Sequence, residues 1–304
     1  MSPTDPRQSA AGELPATPSP VVAFLGPEGT FSHVAALRLF GREARYREAV
    51  TIDGVFDAVR GQDVGYGVVP IENSTEGSVT ASADALIEGE FLVQKEIVLD
   101  VTHALLGRAG LALSAVRRVL SHPQALAQCR GWLAKNLPGA RLDPTSSTAA
   151  AARETLADPA TACIGSPSLT DLFPLEIMEA KIQDRAENAT RFFVVARGDS
   201  APTPRTGRDK TTIVFSLKDG KGALRNVLGV FDDAGVNLTR IESRPSRQKR
   251  WDYVFLIDVE GHREDAAISL ALSALTHRCE MVKVVGSYGR AGVAGSTETR
   301  PPAV

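Results

Sequence analysis

Short apolar runs alternate with helix-like segments over the first two thirds of the chain, and this alternation restricts the possible folds more than any other feature. Apolar runs with the length of buried strands lie at residues 21–25, 66–71, 91–106, 117–120, 161–165 and 192–196. Helix-like segments lie at residues 31–40, 51–60, 79–88, 123–136, 147–157 and 167–173. Strands that alternate with helices predict an α/β architecture whose sheets are covered by helices.

A second folding unit begins after a linker rich in proline, glycine and serine, which runs from Gly198 to Gly207. Beyond it the pattern reads strand, helix, strand, strand, helix, strand, over residues 211–218, 222–234, 236–243, 251–259, 264–277 and 282–287. In the first of these helices Leu224, Val227 and Phe231 share one apolar face. This order of elements predicts a ferredoxin-like fold.

The composition excludes several classes of protein. The chain has 304 residues, of which 43% are hydrophobic and 23% charged, as in an ordinary globular protein. Its net charge of −2 gives no reason to expect nucleic acid or an anionic membrane as a partner. Cys129, Cys163 and Cys279 are too far apart for a zinc site or a disulfide framework, and they fit a reducing cytosol. Residues 1–20, with five prolines, and residues 290–304 are expected to be disordered tails.

Thr190 and Arg191 stand side by side at the head of the apolar run that starts at Phe192. An arginine can bind a carboxylate through two parallel hydrogen bonds, and a threonine adds a neutral proton donor. The pair suits a small anionic substrate whose hydroxyl must be protonated as it leaves. Threonine is also an ordinary strand residue and arginine often ends a strand, so a structural role is the alternative.

Asn73 and Ser74 follow the second apolar run, where they either orient a ligand or form an Asx turn. Thr145 and Ser146 precede an alanine-rich helix, whose first N–H groups favour an anion or are simply capped. Thr30 lies in the loop 26–32, which lacks the glycine spacing of a nucleotide-binding loop.

Ser121 and Gln128 flank the start of the fourth helix-like segment. Ser121 is either a polar site residue or a helix cap, and Gln128 either a ligand contact or a solvent-facing side chain.

In their order and separations these segments resemble the prephenate dehydratase family, whose members make phenylpyruvate. The resemblance is carried by residues 26–32, 70–74, 121–124, 145–151 and 190–193, and it covers roughly residues 21–288. It implies a two-lobed, periplasmic-binding-protein-like catalytic domain over residues 21–198, with the site in the cleft between the lobes. Lobe 1 is expected at about 21–101 and 190–198 and lobe 2 at about 102–189, joined near residues 100–103 and 188–190. Some members carry a helical chorismate mutase domain in front, which twenty proline-rich residues cannot form, so a monofunctional enzyme is expected.

The resemblance also implies roles for single residues. Thr190 is the residue on which activity depends, and we assign it to hydrogen-bonding or protonating the leaving hydroxyl. Arg191 is assigned to a substrate carboxylate. The other implied substrate-binding residues are Asn73, Ser74, Ser121, Gln128, Thr145, Ser146, Thr30 and Phe192. Loss of carbon dioxide and water is driven by aromatisation of the ring, so neither a cofactor nor a metal is expected.

The C-terminal part resembles the regulatory ACT domain of the same family, expected at residues 211–289 after a linker at 199–210. The segment Glu242-Ser243-Arg244-Pro245 carries this resemblance. It implies an allosteric site for L-phenylalanine between paired ACT domains, formed by Gly222, Ala223, Leu224, Asn237, Leu238, Glu242, Ser243, Arg244 and Pro245. Lys221 stands where many relatives have proline, which leaves the phenylalanine affinity open. Paired sites imply a homo-oligomer, either a homotetramer or a homodimer.

The sequence therefore indicates a cytoplasmic prephenate dehydratase whose partners are prephenate, as substrate, and L-phenylalanine, as effector. Two alternatives stay open. Arogenate dehydratase performs the same chemistry on the aminated substrate, and the contacts that discriminate the two cannot be placed from the sequence. A non-catalytic amino-acid sensor is the other, since a cleft joined to an ACT domain can bind a ligand without turning it over.

Overall fold

The computed structural model describes residues 19–185, 187–218, 220–246 and 253–292, which form three β-sheets with their helices. The expected disordered tails fall mostly outside these residues, and so does the start of the strand predicted at 251–259. Within the described ranges no helix has the length and apolar character that crossing a membrane requires.

The first lobe is built on a mixed sheet. Its strands are β1 (Val21–Leu25), β2 (Arg45–Ala49), β3 (Tyr66–Asn73), β4 (Gly77–Ser78), β5 (Phe91–Asp100) and β11 (Ala189–Arg197), and its helices are α1 (Phe31–Phe40), α2 (Ile52–Arg60) and α3 (Thr80–Glu88). The strand order is β2-β1-β3-β11-β5, with β4 paired to β3. β1 pairs in parallel with β2 and β3, whereas β11 runs antiparallel between β3 and β5. Thr30 and Thr51 cap α1 and α2 through their side-chain oxygens, which accept hydrogen bonds from the N–H groups of His33 and Gly54.

The second lobe has a smaller sheet in the order β10-β6-β9-β7-β8. Its strands are β6 (Ala104–Gly107), β7 (Arg118–Ser121), β8 (Arg141–Pro144), β9 (Thr161–Gly165) and β10 (Glu176–Glu179), and its helices are α4 (Pro123–Gln128), α5 (Arg130–Asn136) and α6 (Thr148–Thr155). The helix predicted at 123–136 is interrupted at Cys129, and the one predicted at 167–173 is a 3-10 turn at Pro167–Asp171. The apolar run 91–106 is two strands, because the chain leaves the first lobe after Asp100 and enters the second at Ala104.

The C-terminal domain has four antiparallel strands in the order β13-β14-β12-β15. Its elements are β12 (Asp209–Ser216), α7 (Ala223–Asp233), β13 (Leu238–Pro245), β14 (Tyr253–Glu260), α8 (Ala266–Thr276) and β15 (Met281–Gly289). Both helices pack on one face of this sheet, against a core that includes Ile213, Phe215 and Ile257. The predicted α/β fold with two lobes and a ferredoxin-like C-terminal domain is confirmed.

The other face of the C-terminal sheet packs directly on the first lobe. Leu256 and Tyr288 belong to the same buried cluster as Phe193 of β11 and Val93 of β5. At Gly286 the two backbones come so close that an added Cβ would lie 2.3 Å from the carbonyl oxygen of Val93. The C-terminal domain is therefore attached to the sheet that contains β11, on the face opposite α1.

Candidate active site in the interlobe cleft

A cavity of about 290 Å³ lies between the two lobes. Its lining includes Thr30, Phe31, Asn73 and Thr190 from the first lobe, Val101, His103 and Asn188 from the crossing segments, and His122, Gln124, Gln128, Ser146, Ser147 and Thr148 from the second lobe. Five of the predicted site residues, Thr30, Asn73, Gln128, Ser146 and Thr190, thus meet in one cavity. They are distant in the chain, and the crossing of the chain between the lobes brings them together.

Asn73 and Thr190 are register partners on the adjacent strands β3 and β11. The Asn73 side-chain oxygen accepts hydrogen bonds from the N–H groups of Thr75 and Glu76, at 2.9 and 3.1 Å, which is an Asx turn. Its amide nitrogen is therefore free to donate to Thr190 Oγ1, at 2.8 Å, and to Asn188 Oδ1, at 2.9 Å. Since Thr190 accepts this bond, its own O–H proton stays available for a ligand.

His103 and Gln128 form a second polar pair in the cavity. His103 is 3% exposed, and its Nε2 lies 2.7 Å from Gln128 Oε1. An amide oxygen only accepts hydrogen bonds, so Nε2 carries the proton and the Gln128 amino group stays free as a donor. Burial lowers the pKa of His103 even though the bond to Gln128 opposes this, so the ring is neutral at pH 7. Phe31 packs edge-on against the same ring.

The N-terminus of α6 contributes the opposite wall. Ser147 caps this helix by accepting a hydrogen bond from the Ala150 N–H at 3.0 Å. Thr145 does not line the cavity, and its hydroxyl donates to the Ser147 carbonyl at 2.9 Å, so it supports the turn. The first N–H groups of a helix carry a partial positive charge, which favours an anionic group beside Ser146 and Ser147.

A second cavity of about 270 Å³ shares Gln124, Gln128 and Asn188 with the first. Arg185 lines it and is the only arginine or lysine among the described residues around either cavity. The Gln124 side chain also donates a hydrogen bond to the Glu76 carboxylate, which joins the second lobe to the first across the cleft.

Arg191 does not face the cleft, and the structure contradicts its assignment to a substrate carboxylate. Its side chain is 9% exposed and its guanidinium forms ion pairs with Glu96 and Asp258. The physical reason is the alternation of side chains along a strand, which turns neighbouring residues to opposite faces of the sheet. Thr190 faces the cleft, so Arg191 faces the C-terminal domain.

Three further predicted residues lie near the cleft without lining it. Phe192 is 1% exposed and belongs to the core between β1 and α1. Ser121 is fully buried, and its hydroxyl donates to the carbonyl of Ile164 at 2.7 Å. Ser74 accepts a hydrogen bond from the Ala189 N–H at 2.9 Å, which fastens the end of β3 to β11. All three support the strands that hold the site.

The predicted effector residues divide between the two faces of the C-terminal sheet. Glu242 and Arg244 are register partners of Leu256 and Val254 and face the first lobe, where Glu242 contacts Ser78 and Arg244 contacts Asp84 at 2.9 Å. Ser243 is the partner of Phe255 and faces the helical layer instead, with Ile241. Gly222, in a left-handed conformation with φ of 81°, directly precedes α7 in that layer, and Ala223 and Leu224 are the first residues of the helix. Asn237 directly precedes β13, Leu238 begins it, and Pro245 ends it.

A single chain thus does not gather these residues around one point. The prediction of a phenylalanine site between paired domains requires a second copy of the chain.

The sequence interpretation missed His103, Asn188 and Arg185 as site residues. All three lie on or beside the segments where the chain crosses between the lobes, and these positions were expected near residues 100–103 and 188–190. Residues at such crossings face both lobes, and this was the signal that could have identified them.

Comparison with known proteins agrees with this architecture. A family model described as prephenate dehydratase matches residues 22–200, and one described as ACT domain matches residues 211–277. A bifunctional chorismate mutase/prephenate dehydratase of Aquifex aeolicus is 44% identical over 270 residues, which cover 89% of this chain and 74% of the relative. A solved prephenate dehydratase from Arthrobacter aurescens, in complex with L-Phe, is 39% identical with a TM-score of 0.81, covering 89% of this chain and 90% of that one. GqqA, described as a novel type of quorum quenching acylase, is 30% identical with a TM-score of 0.80, covering 88% and 97% of the two chains.

Proposed function

This chain belongs to the prephenate dehydratase family, and we propose on that premise that its interlobe cleft converts prephenate to phenylpyruvate, carbon dioxide and water. The bond between the ring and its carboxylate breaks, its electrons enter the ring, and the hydroxyl leaves from the opposite ring carbon. Hydroxide is a poor leaving group, so a proton donor at that oxygen lowers the barrier, typically by a rate factor of about 10²–10⁴. The reaction of the dianion consumes one proton, which solvent supplies and which restores the donor.

The observation that carries the proposal is the pair formed by Thr190 and Asn73. Asn73 donates to Thr190 Oγ1, which orients the hydroxyl and leaves its proton free for the leaving oxygen. The Asx turn at Thr75 and Glu76 holds Asn73 in this orientation before any ligand arrives. Fixed donors of this kind need no rearrangement during the reaction, which is where electrostatic catalysis gains its effect.

The carboxylates of prephenate need other partners than Arg191. The N-terminus of α6, beside Ser146 and Ser147, offers a partial positive charge and free N–H groups. The Gln128 amino group adds a neutral donor, and Arg185 in the neighbouring cavity is within the same cleft. We assign binding of the retained carboxylate, on the pyruvyl side chain, to the N-terminus of α6 and to Gln128. We assign to Arg185 the electrostatic attraction of the dianion into the cleft.

We further infer that L-phenylalanine regulates the enzyme through the ACT domain, since a relative of the same architecture is solved in complex with L-Phe. A cytoplasmic location and a homodimer or homotetramer belong to this proposal. The free cysteines of the described chain fit a reducing compartment. Light scattering of the purified protein with and without phenylalanine tests the oligomeric state.

Three other functions compete with this one. An arogenate dehydratase would share every residue discussed so far, so both substrates must be assayed. A non-catalytic sensor would bind prephenate without turnover. An acylase would need a nucleophile activated by a base, whereas the Thr190 hydroxyl contacts an amide and the His103 proton is donated to Gln128.

The decisive experiment measures phenylpyruvate formed from prephenate by the wild type, Thr190→Val and Thr190→Ser. Valine keeps the shape of threonine without its hydroxyl, and we expect a loss of about 10²–10⁴ in kcat. Serine keeps the hydroxyl and should retain most of the activity. Near-native turnover by Thr190→Val would show that the hydroxyl is not the proton donor, and a wild type inactive on both prephenate and arogenate would favour the sensor.

A further inference from the structure

A buried ionic cluster lies directly behind Thr190, on the other face of β11. Arg191 donates to Glu96 of β5 through Nε at 2.7 Å and to Tyr288 of β15 at 3.1 Å, and it forms an ion pair with Asp258 of β14. Glu96 and Asp258 side chains are 1% and 0% exposed. A single side chain of the catalytic strand therefore holds its neighbour β5 and two strands of the ACT domain.

The contacts of this cluster determine which of its groups donate hydrogen bonds and which accept them. Thr212 donates to the Asp258 carboxylate at 2.6 Å, so it must accept from the Tyr288 hydroxyl, also 2.6 Å away. Tyr288 then accepts from Arg191 with a remaining lone pair. Lys210 lies 3.3 Å from Glu96, and the Glu72 carboxylate of β3 lies 3.8 Å from the Arg191 guanidinium, so the buried carboxylates Glu96 and Asp258 each face a cation. Burial works against the charge of Arg191, but Tyr288, Asp258 and Glu96 raise its pKa, so it stays charged.

The geometry of β11 links the position of this cluster to the position of Thr190 in the cleft. In its pairing with β3, β11 has a register shift between Arg191 and Phe192, next to the residue that carries the reactive hydroxyl. A bulge of this kind changes the direction of the side chains beside it. On the cleft side of the shift, the β11 backbone is fixed by the pairing of Thr190 with Asn73 of β3. Thr190 and Arg191 share a peptide unit, so a displacement of the Arg191 backbone also moves Thr190.

We propose that Arg191 is a positioning residue through which the ACT domain sets the Thr190 hydroxyl against Asn73. A shift of the ACT sheet relative to the first lobe either moves Arg191 or leaves a buried charge without its partner, and the latter is strongly unfavourable. The ACT domain thus acts on the reaction through one residue next to Thr190. This inference rests on the proposed role of Thr190 and adds the route by which an effector reaches it.

The test alters the ACT side of the cluster and leaves β11 untouched. Asp258→Asn removes the charge that faces Arg191 without changing the shape of the side chain, and Tyr288→Phe removes one hydroxyl. The matched control is Glu260→Gln on the same strand, which breaks the exposed ion pair with Arg290. For each full-length variant, kcat, KM and the effect of phenylalanine on turnover are measured, with circular dichroism to verify folding.

We expect Asp258→Asn to lower kcat by about 2- to 30-fold and to weaken the phenylalanine response, with a smaller change in KM. Tyr288→Phe should shift both quantities in the same direction, and Glu260→Gln should change neither. If the cluster only stabilises the fold, Asp258→Asn and Tyr288→Phe will lower the stability of the protein but leave kcat of the folded enzyme and its phenylalanine response as in the wild type. That result in both variants would overturn the proposal.

Hydrogen exchange separates this inference from the proposed function. Peptides that cover residues 188–197 and 66–74 should exchange faster in Asp258→Asn than in Glu260→Gln, whether or not the substrate is prephenate. If the wild type turns over neither prephenate nor arogenate, the proposed function fails while this measurement still decides whether the ACT domain holds β11. Unchanged exchange in both peptides would count against the positioning role even in an active enzyme.

Discussion

Asn73 decides which hydrogen-bonding groups the cleft can present to a ligand. Its carbonyl side is occupied by the N–H groups of Thr75 and Glu76, so only its amino group remains for Thr190 and Asn188. The two lobes are joined at this residue, because Asn188 belongs to the segment that returns from the second lobe. One amide therefore makes the Thr190 hydroxyl an acceptor and holds the end of the crossing segment.

Replacement of Asn73 by aspartate should reverse the direction of the hydrogen bond between residue 73 and Thr190. A carboxylate can only accept, so Thr190 would donate its proton to residue 73 instead of to the substrate, and the added charge would repel a dianion. We expect kcat/KM at pH 7.5 to fall by about 10²–10³, the usual effect of losing one fixed donor. Lowering the pH should restore part of the activity, because a protonated carboxyl can donate again.

The matched control for this change is Asn136→Asp, on an exposed face of α5 where the amide donates to the carbonyl of Trp132. Steady-state assays of both variants from pH 5 to 8 give the comparison. Equal kcat/KM values for Asn73→Asp, Asn136→Asp and the wild type would exclude the donor role of Asn73.

Two adjacent residues, Thr190 and Arg191, show what the sequence could and could not supply about the site. Their place at the head of a strand can be read from the sequence, and the role proposed for Thr190 rests on the family resemblance. That both side chains serve the cleft is ruled out by the twofold period of a strand, which the sequence already contains. The partners of Arg191, Glu96 and Asp258, are 95 and 67 residues away in the chain, and no local pattern predicts that pairing.

At the level of elements, apolar runs predicted most strands and missed three that lie at sheet edges, β2, β8 and β10. β2 and β8 are edge strands with mostly polar and exposed side chains, RYREA and RLDP, and so lack the signal of a buried strand. β5 and β6 form one apolar run in the sequence, because the crossing between them, at Val101 and His103, is itself buried. Burial at a crossing gives the same apolar signal as burial in a strand.

Helix α3 ends against the ACT domain, and this contact can be tested. The Lys283 ammonium of β15 donates to the carbonyls of Leu86, at 3.2 Å, and Gly89, which terminate the helix. A cation at a helix C-terminus satisfies free carbonyls and opposes the helix dipole. Burial lowers the pKa of Lys283, although Glu90 opposes this, so the ammonium depends on these carbonyls in place of water.

Lys283→Met keeps the aliphatic stem and removes the charge, and should lower the free energy of unfolding by about 1–2 kcal/mol. Lys135→Met is the control, since Lys135 also lies in the last turn of a helix but is exposed. Urea unfolding followed by circular dichroism gives the midpoints. Coincident curves for the two variants would mean that the Lys283 contact contributes nothing measurable.

For the whole molecule, the relative position of the domains follows from the sheet faces that helices do not cover, one in the first lobe and one in the ACT domain. The face of the first-lobe sheet on the Phe193 side is covered partly by α2 and α3, and the remainder is buried by the ACT sheet through Leu256 and Tyr288. The ACT sheet has its helices on its other face only, so each sheet completes the core of the other. The catalytic and regulatory domains therefore share one hydrophobic core, and the linker between them does not set their relative position.

The shared core can be tested by adding one methyl group where the backbones of β15 and β5 approach most closely. Gly286→Ala places a Cβ 2.3 Å from the Val93 carbonyl oxygen, which β5 can relieve only by moving away from β15. We expect the free energy of unfolding to fall by about 1–3 kcal/mol, as in other overpacked cores, and the phenylalanine response to weaken. The control, Gly229→Ala, lies within α7, where an added Cβ meets nothing within 4 Å, and should stabilise the protein by about 1 kcal/mol. Thermal unfolding and phenylalanine titration of both variants decide the matter: equal stability and equal regulation would mean that the two domains are not coupled through this contact.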